Sequence, residues 1–571
     1  MGVIRTGTAR PGAGHPAMAA HRLRDWLTLV IPAAAALLFG GYQLGKLSLW
    51  RDEAYSVDAA HRSFGQIFAL LRHTDAVNGT YYLFMHAVIT LLGTSATAIR
   101  LPSLLATAVA AAMTAALGRL LARMASLPAP RLTGLLAGLL FVAVPQTTRY
   151  AQDARAYAIV TMLVTIATYL LVRAMLADTW RWWAGYALVI VLAGLFNLFS
   201  LLVVAAHALT VLIIRVRRGG LESGAAPARL WRWLVAAVAA GIVLAPLALL
   251  GFRQRGQISW LTKPGLRTVS NLFVSFAGSK PLVVPIAALA LCALVASLVA
   301  RSGPATLTGE SAADGPATLG GGAASAGSPA TRAGGPATSA SGPATLASGS
   351  ATLAIVALPW LILPPIVMLA VSRFKPVYDE RYVLFCQPAL ALLCAAGLAW
   401  LARVVSIGLP SGRGRALAWL PSVGVLAVLA ALLVTPQHAV RLQSSRLDDL
   451  RYDAAVVAAH GRPTDIVFYI PWNQRILGMG YPAPFRQLRD VSLAVSPMKS
   501  NTLLGTEVSL ATLHDRLHNL SRVWLVTSVS QAQLAAISSP VLRAELALIQ
   551  TMRLVGRWHA DSDVLSLYSA K

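Results

Sequence analysis

Acidic residues are scarce in this 571-residue sequence, with 22 Asp and Glu against 48 Lys and Arg. Charge of either sign is thin as well: 12% of residues are charged and 56% are hydrophobic. A soluble globule keeps about a quarter of its residues charged, so this balance excludes one. Cysteine is nearly missing. Cys292, Cys386 and Cys394 all fall inside apolar runs, which implies neither a disulfide framework nor a thiolate metal site. His61, His73, His86 and His207 show no metal-ligand spacing of the HExxH kind. No clustered basic stripe exists either: the arginines are scattered between apolar runs, a pattern of topology signals and phosphate contacts that excludes nucleic acid as a partner.

What remains is hydrophobic length. Mean hydropathy is +0.64, and apolar runs near the ~20 residues that cross a bilayer recur along the chain. They predict an α-helical polytopic membrane protein with about eleven spans, near 27–46, 98–118, 132–148, 156–176, 183–197, 199–214, 233–251, 281–300, 353–372, 382–402 and 416–435. No small-x-small cleavage site follows the first run, which is therefore expected to be an uncleaved span. The run Thr80 to Leu92 is short, and is read as an interfacial helix within a first outer loop, 47–97. With that choice Arg119, Arg123 and Arg131 share the cytoplasmic side with the N-terminal tail, 1–26. The loops "WRDEAYS", "RYAQDARAY", Arg253 to Lys280 and "RFKPVYDERY" then converge on the outer face of the plasma membrane.

Between 302 and 352 a tract of Gly, Pro, Ala, Ser and Thr repeats "GPATL", a composition expected of a disordered cytoplasmic loop. Spans end near 435. From 436 to 571, "DIVFYI", "RVWLVT" and "DVLSLY" read as strands alternating with helices near 449–460, 507–519 and 530–549. That pattern predicts a small α/β domain outside the membrane.

Three stretches carry chemistry. Asp52 and Glu53 follow the first span, with Tyr55 and Asp58 at helical spacing. The two acids can serve as cap and ion-pair partners at a helix start, or one can accept a proton from an acceptor hydroxyl. "YAQDARAY" sets Tyr150, Asp153 and Tyr157 along one side of a helix start, with Arg155 one step round. That arginine either snorkels at the interface or grips a phosphate. In "KPVYDERYVLFCQPAL", Lys375 and Arg381 offer a second phosphate clamp, unless Asp379 and Glu380 only neutralise them.

In chain order, "WRDEAYS", "TDAVNGTYYLFMH", "AIRLPSLLA", "YAQDARAY" and "ERYVLFCQPALALLCAAGLAWL" resemble the C-type membrane glycosyltransferases. The likeness is to the branch of protein O-mannosyltransferases and the aminoarabinose transferase. The resemblance implies an enzyme that moves a sugar from a polyprenyl-phosphate carrier to a lipid, glycan or protein acceptor at the outer face, with inversion. It makes Asp52 the general base, with Glu53 beside it as the second catalytic carboxylate, and Arg155, Arg381 and Lys375 the binders of the donor phosphate. Tyr55, Tyr81, Tyr82, Tyr150, Asp153 and Tyr157 then line the substrate. No cofactor is named by the sequence, and a divalent metal stays open. The rival readings are a transporter or flippase for lipid-linked sugars, and a catalytically inactive subunit of an envelope assembly.

Overall fold

A computed structural model describes residues 15–217, 225–258, 261–302, 351–407, 417–517, 521–528 and 551–570, together with Arg543, Leu546 and Ile549. The chain begins with α1 (His15–Gly41), two short helices α2 (Arg51–His61) and α3 (Phe64–His73), and α4 (Gly79–Leu92). There follow α5 (Ala96–Met124), α6 (Pro130–Ala143), α7 (Pro145–Ala151), α8 (Tyr157–Ala177), α9 (Trp180–Phe196) and α10 (Leu202–Arg217). The remainder of the bundle is α11 (Ala225–Arg253), α12 (Leu266–Ala277), α13 (Lys280–Ser302), α14 (Thr352–Phe374), α15 (Gln387–Ile407) and a helix over Leu420–Ala439.

Local chemistry places the boundaries. Ser63 Oγ accepts from the Gln66 backbone N–H while the Gln66 side chain accepts from the Ser63 N–H, a reciprocal cap that starts α3. Gly93, at φ +80, ends α4 in a conformation that a Cβ would strain. Pro145 cannot continue the hydrogen-bond ladder of α6, so the chain bends at Val144 and restarts as α7.

Nine helices among the described residues are long and apolar enough to cross a membrane, and the protein is a multi-pass membrane protein. They match nine of the eleven expected spans. The other two, 132–148 and 183–197, correspond to α6 and α9, helices of 14 and 17 residues. At 1.5 Å per residue these reach only about 21 and 26 Å, because the Pro145 break and the extended Asn197 cut them short. The tract between 303 and 350 and most of 530–549 lie outside the described residues.

Small residues let the helices approach. A Cβ on Gly134 would stand 2.5 Å from the Ala115 carbonyl oxygen, so α5 and α6 touch backbone to backbone. Gly397 of α15 meets the Leu289 backbone of α13 in the same way. At the bundle end away from α2, Asp25 pairs with Arg119 at 2.9 Å, Arg131 at 2.6 Å and Arg123 at 3.6 Å.

The C-terminal region folds on a five-stranded sheet of order β2-β1-β5-β7-β6, built from β1 (Ile466–Ile470), β2 (Arg489–Asp490), β5 (Arg522–Ser528), β6 (Arg553–His559) and β7 (Asp563–Ser569). A separate antiparallel pair joins β3 (Leu493–Val495) to β4 (Thr506–Glu507). β1 pairs in parallel with β2 and β5, and β7 runs antiparallel to both β5 and β6. The three strands expected from the sequence are β1, β5 and β7, and the helix expected near 449–460 is Leu450–His460. Period-two alternation divides the sheet. Ile466, Phe468, Ile470, Val523 and Leu525 fill one small core. Val467, Tyr469, Trp524, Val526 and Leu567 face the other way and join the apolar core that runs on into the helices.

Candidate functional site

The first turn of α2 organises the site. Trp50 is extended and Glu53 accepts from its backbone N–H at 3.4 Å, so the capping role falls to Glu53 and the helix starts at Arg51. Glu53 is fully buried. Its Oε1 accepts from Arg100 Nε at 2.7 Å and from the Ala154 N–H at 2.8 Å, and its Oε2 from Arg100 Nη2 at 2.7 Å. Arg100, also fully buried, spends its remaining donors on the carbonyls of Leu44, Leu47 and Ser48, each at 3.0 Å. Burial alone would raise the Glu53 carboxyl. The Arg100 charge and hydrogen bonds outweigh it and hold that carboxyl below the usual range.

Asp52, one residue earlier, points elsewhere. Its Oδ2 accepts from Arg381 Nη1 at 2.7 Å, and its side chain is 21% exposed. The Arg381 guanidinium also meets Asp379 at 3.2 Å and lies over the Trp50 and Tyr382 rings. Arg155 reaches the same turn from the far side: its Nη1 donates to Ser56 Oγ at 3.1 Å and to the Asp52 carbonyl at 3.4 Å. Asp52, Arg155 and Arg381, widely separated in sequence, therefore converge at one end of the bundle.

Asp153 is buried beside them. Trp50 Nε1 donates to its Oδ1 at 2.9 Å, and its Oδ2 has no hydrogen-bond partner among the described residues. Burial, reinforced by the Glu53 charge, pushes the Asp153 carboxyl above the ordinary carboxylate range. Ser103 of α5 donates to the Asp153 carbonyl at 2.6 Å and so pins the turn that carries Arg155.

Tyrosines wall the site. Tyr150 meets Tyr157 edge-on at 5.3 Å, Tyr157 lies 6.5 Å from Tyr382, and Tyr382 stacks on Phe199 at 4.9 Å. Burial holds the Tyr55 and Tyr150 hydroxyls above the ordinary tyrosine range, so both remain donors. Beneath Tyr150 and Tyr157 is a small pocket lined by Thr107, Gln146, Thr147 and Gln387. Gln146 Oε1 and Gln387 Nε2 have no partner among the described residues. Tyr81 and Tyr82 are buried in α4, and Lys375 is exposed.

Sequence reasoning missed three participants. Arg100 carried a signal, since an arginine within an apolar run faces the protein interior by default. Asp75 is held at φ 61 and accepts from Asn78 Nδ2 at 2.9 Å and from the Tyr82 hydroxyl. Its charge is felt at Tyr55 and Arg155, which puts it on the rim of the site. Arg446 donates to the Gln152 carbonyl at 2.9 Å, and nothing in its local sequence marks it. Among the described residues no group of three or more His, Cys, Asp and Glu side chains has the geometry to hold a metal ion.

A carboxylate paired to one arginine, a second arginine beside it and a wall of hydroxyl donors can bind a phosphate and accept a proton. Solved structures share the fold that carries that arrangement. ArnT from Cupriavidus metallidurans in the apo state aligns over 96% of this chain and 98% of its own, with a TM-score of 0.55 and 13% identity. The same protein bound to undecaprenyl phosphate aligns over 95% and 98%, with a TM-score of 0.51 and 13% identity. The chain shares its fold with ArnT. No family model and no curated protein matches the sequence. In this fold the short helices after the first span, the turn before α8 and the chain leading into α15 meet at one face.

Proposed function

We propose that this protein is an inverting glycosyltransferase that moves a sugar from a polyprenyl-phosphate carrier to an acceptor hydroxyl at the outer face of the membrane. The observation that carries the reading is the convergence of Asp52 with Arg155 and Arg381 at one end of the helices. The fold supports it, since ArnT has been crystallised with undecaprenyl phosphate. The arginine-rich opposite end around Asp25 supports an inner orientation for that end.

The carrier lies in the bilayer with its phosphate at the boundary, where the Arg155 and Arg381 guanidinia take the charge that grows as the phosphate leaves. Asp52 accepts the acceptor's hydroxyl proton as that oxygen forms its bond to the anomeric carbon and the carbon–phosphate oxygen bond breaks. A single displacement inverts the anomeric centre and uses one base. Arg381 holds Asp52. A phosphate competes for the same guanidinium, so donor binding releases the carboxylate for the acceptor. Glu53, spent on Arg100 and on the Trp50 and Ala154 amides, shapes the loop and leaves proton transfer to Asp52.

Purified protein in lipid, given labelled polyprenyl-phosphate sugars, tests this. Asp52→Asn should lose about 10² to 10⁴ in turnover with donor binding retained. Arg155→Ala and Arg381→Ala should weaken binding of a non-transferable donor as well. Wild-type turnover by Asp52→Asn would overturn the assignment.

A further inference from the structure

The C-terminal domain does more than sit beside the site: it holds the helix that carries Asp52. Arg51 precedes the proposed base by one residue. Its Nη2 donates to Asp448 Oδ1 at 2.6 Å, its Nε to Oδ2 at 3.1 Å and Oδ1 at 3.0 Å, and its backbone N–H to Oδ2 at 3.0 Å. Asp448 is fully buried, and Ser562 Oγ at 2.6 Å fixes its Oδ1 from the sheet side.

Asp448 belongs to a nest of acids. Asp453 and Asp563 are likewise fully buried. Both oxygens of Asp453 and Oδ1 of Asp563 find no hydrogen-bond partner among the described residues. Into this nest the first turn of α2 inserts one guanidinium, and a fork-to-fork arginine–carboxylate pair fixes direction as well as distance.

Other contacts keep the same alignment. The Ser48 N–H donates to Gln443 Oε1 at 3.0 Å and the Leu49 N–H to the Tyr481 hydroxyl at 3.2 Å. At the far end of α2, Arg62 donates to the Thr502 carbonyl at 2.8 Å. The helix Ile476–Gly480 lies so close that a Cβ on Gly480 would stand 3.4 Å from Ala54 Cβ. Segment 48–62 is therefore gripped between the membrane helices, through Arg100 and Arg155, and the C-terminal domain.

We propose that Asp448 is a positioning residue of the transferase: by clamping Arg51 it sets the first turn of α2, and the C-terminal domain is thereby part of the catalytic machinery. This rests on the glycosyltransferase reading for its kinetic arm. Its structural arm stands apart.

The test uses the full chain in lipid, wild type beside Asp448→Asn, Asp448→Glu and Arg51→Lys, with kcat and donor KM, binding of a non-transferable donor and backbone hydrogen exchange. Asp448→Asn should lower kcat by about 10- to 100-fold, as expected for a base displaced by an ångström or so. Its donor KM and binding should stay within about twofold, because the arginines that meet phosphate are untouched. Exchange over 51–61 should quicken by about tenfold while α5 keeps its protection, because only the clamp is lost. Asp448→Glu should recover part of the loss, and Arg51→Lys, which keeps the charge without the fork, should repeat the kcat defect in a folded protein. Unchanged kcat and unchanged exchange in both Asp448→Asn and Arg51→Lys overturn the proposal, as does a loss confined to donor KM. If wild type transfers no sugar from any donor, the glycosyltransferase reading falls. The exchange at 51–61 then still decides whether Asp448 orders α2.

Discussion

At the scale of single residues, two neighbouring carboxylates divide the work by their surroundings. Asp52 is partly open and paired to Arg381, while Glu53 is sealed against Arg100. Removing one member of a buried ion pair leaves the other charge uncompensated, at a cost of about 3–5 kcal/mol. Glu53→Ala is therefore expected to reduce the yield of monodisperse protein and its melting temperature, where Asp52→Asn lowers turnover in a protein that melts normally. Size-exclusion profiles and melting curves of the two variants check this, and equal melting would contradict the division. Asp52, Arg155 and Arg381 were legible in the sequence because ionisable residues at the ends of apolar runs stand out. The role of Glu53 was not, because it depends on Arg100, 47 residues away. Lys375 had the right chemistry in the right segment, yet the 3₁₀ turn at Glu380–Cys386 brings only Arg381 inward.

At the scale of elements, hydropathy located the long helices and missed how short ones complete them. α6 and α9 read as spans because composition ignores Pro145 and the extended Asn197, which end them early. Strands β1, β5 and β7 were legible from their β-branched and aromatic runs, whereas the two-residue β2 and β4 carry no pattern to read. Close helix contacts lie beyond hydropathy too. Gly397 packs its backbone against Leu289, so Gly397→Ala forces α13 and α15 apart. Overpacking of this kind costs about 1–3 kcal/mol. The variant is expected to melt lower, and an unchanged melting temperature would mean that the two helices slide without cost.

At the scale of the whole molecule, charge is distributed in two layers: arginines around Asp25 at one end and buried aspartates in the domain at the other. The proposed orientation puts the domain at the outer face. A cysteine at Thr506, exposed on β4, should then react with an impermeant thiol reagent in intact cells, and reaction only after lysis would reverse the orientation.

The acid nest adds a pH dependence. Burial, with the charges of Asp563, Asp449, Asp448 and Asp561, pushes Asp453 up to about 8. Burial pushes Asp563 up to about 6. Both values exceed the ~3.9 of an unfolded aspartate, so the fold binds protons that the unfolded chain has released. Stability from these groups is full below that value and is lost as pH rises through about 6 and 8. The domain's melting temperature is expected to fall from pH 5 to pH 8, and Asp453→Asn to flatten the fall. A melting temperature that climbs over that range would refute it. Asp448 works in the opposite sense. Burial raises its carboxyl, Arg51 more than offsets this, and the stability of that pair is lost only in acid.

The Arg51–Asp448 bond spans 397 residues of chain. At synthesis rates of about 5–20 residues per second, α2 emerges roughly 20 to 80 s before its partner is made. Throughout that interval the helix bearing the proposed base lacks one of its two walls. A ribosome that stalls after the last span leaves a membrane-inserted fragment holding Asp52, Arg155 and Arg381, but with nothing to seat Arg51. On the proposed reading, completion of the polypeptide is the step that seats Arg51 and so arms the site.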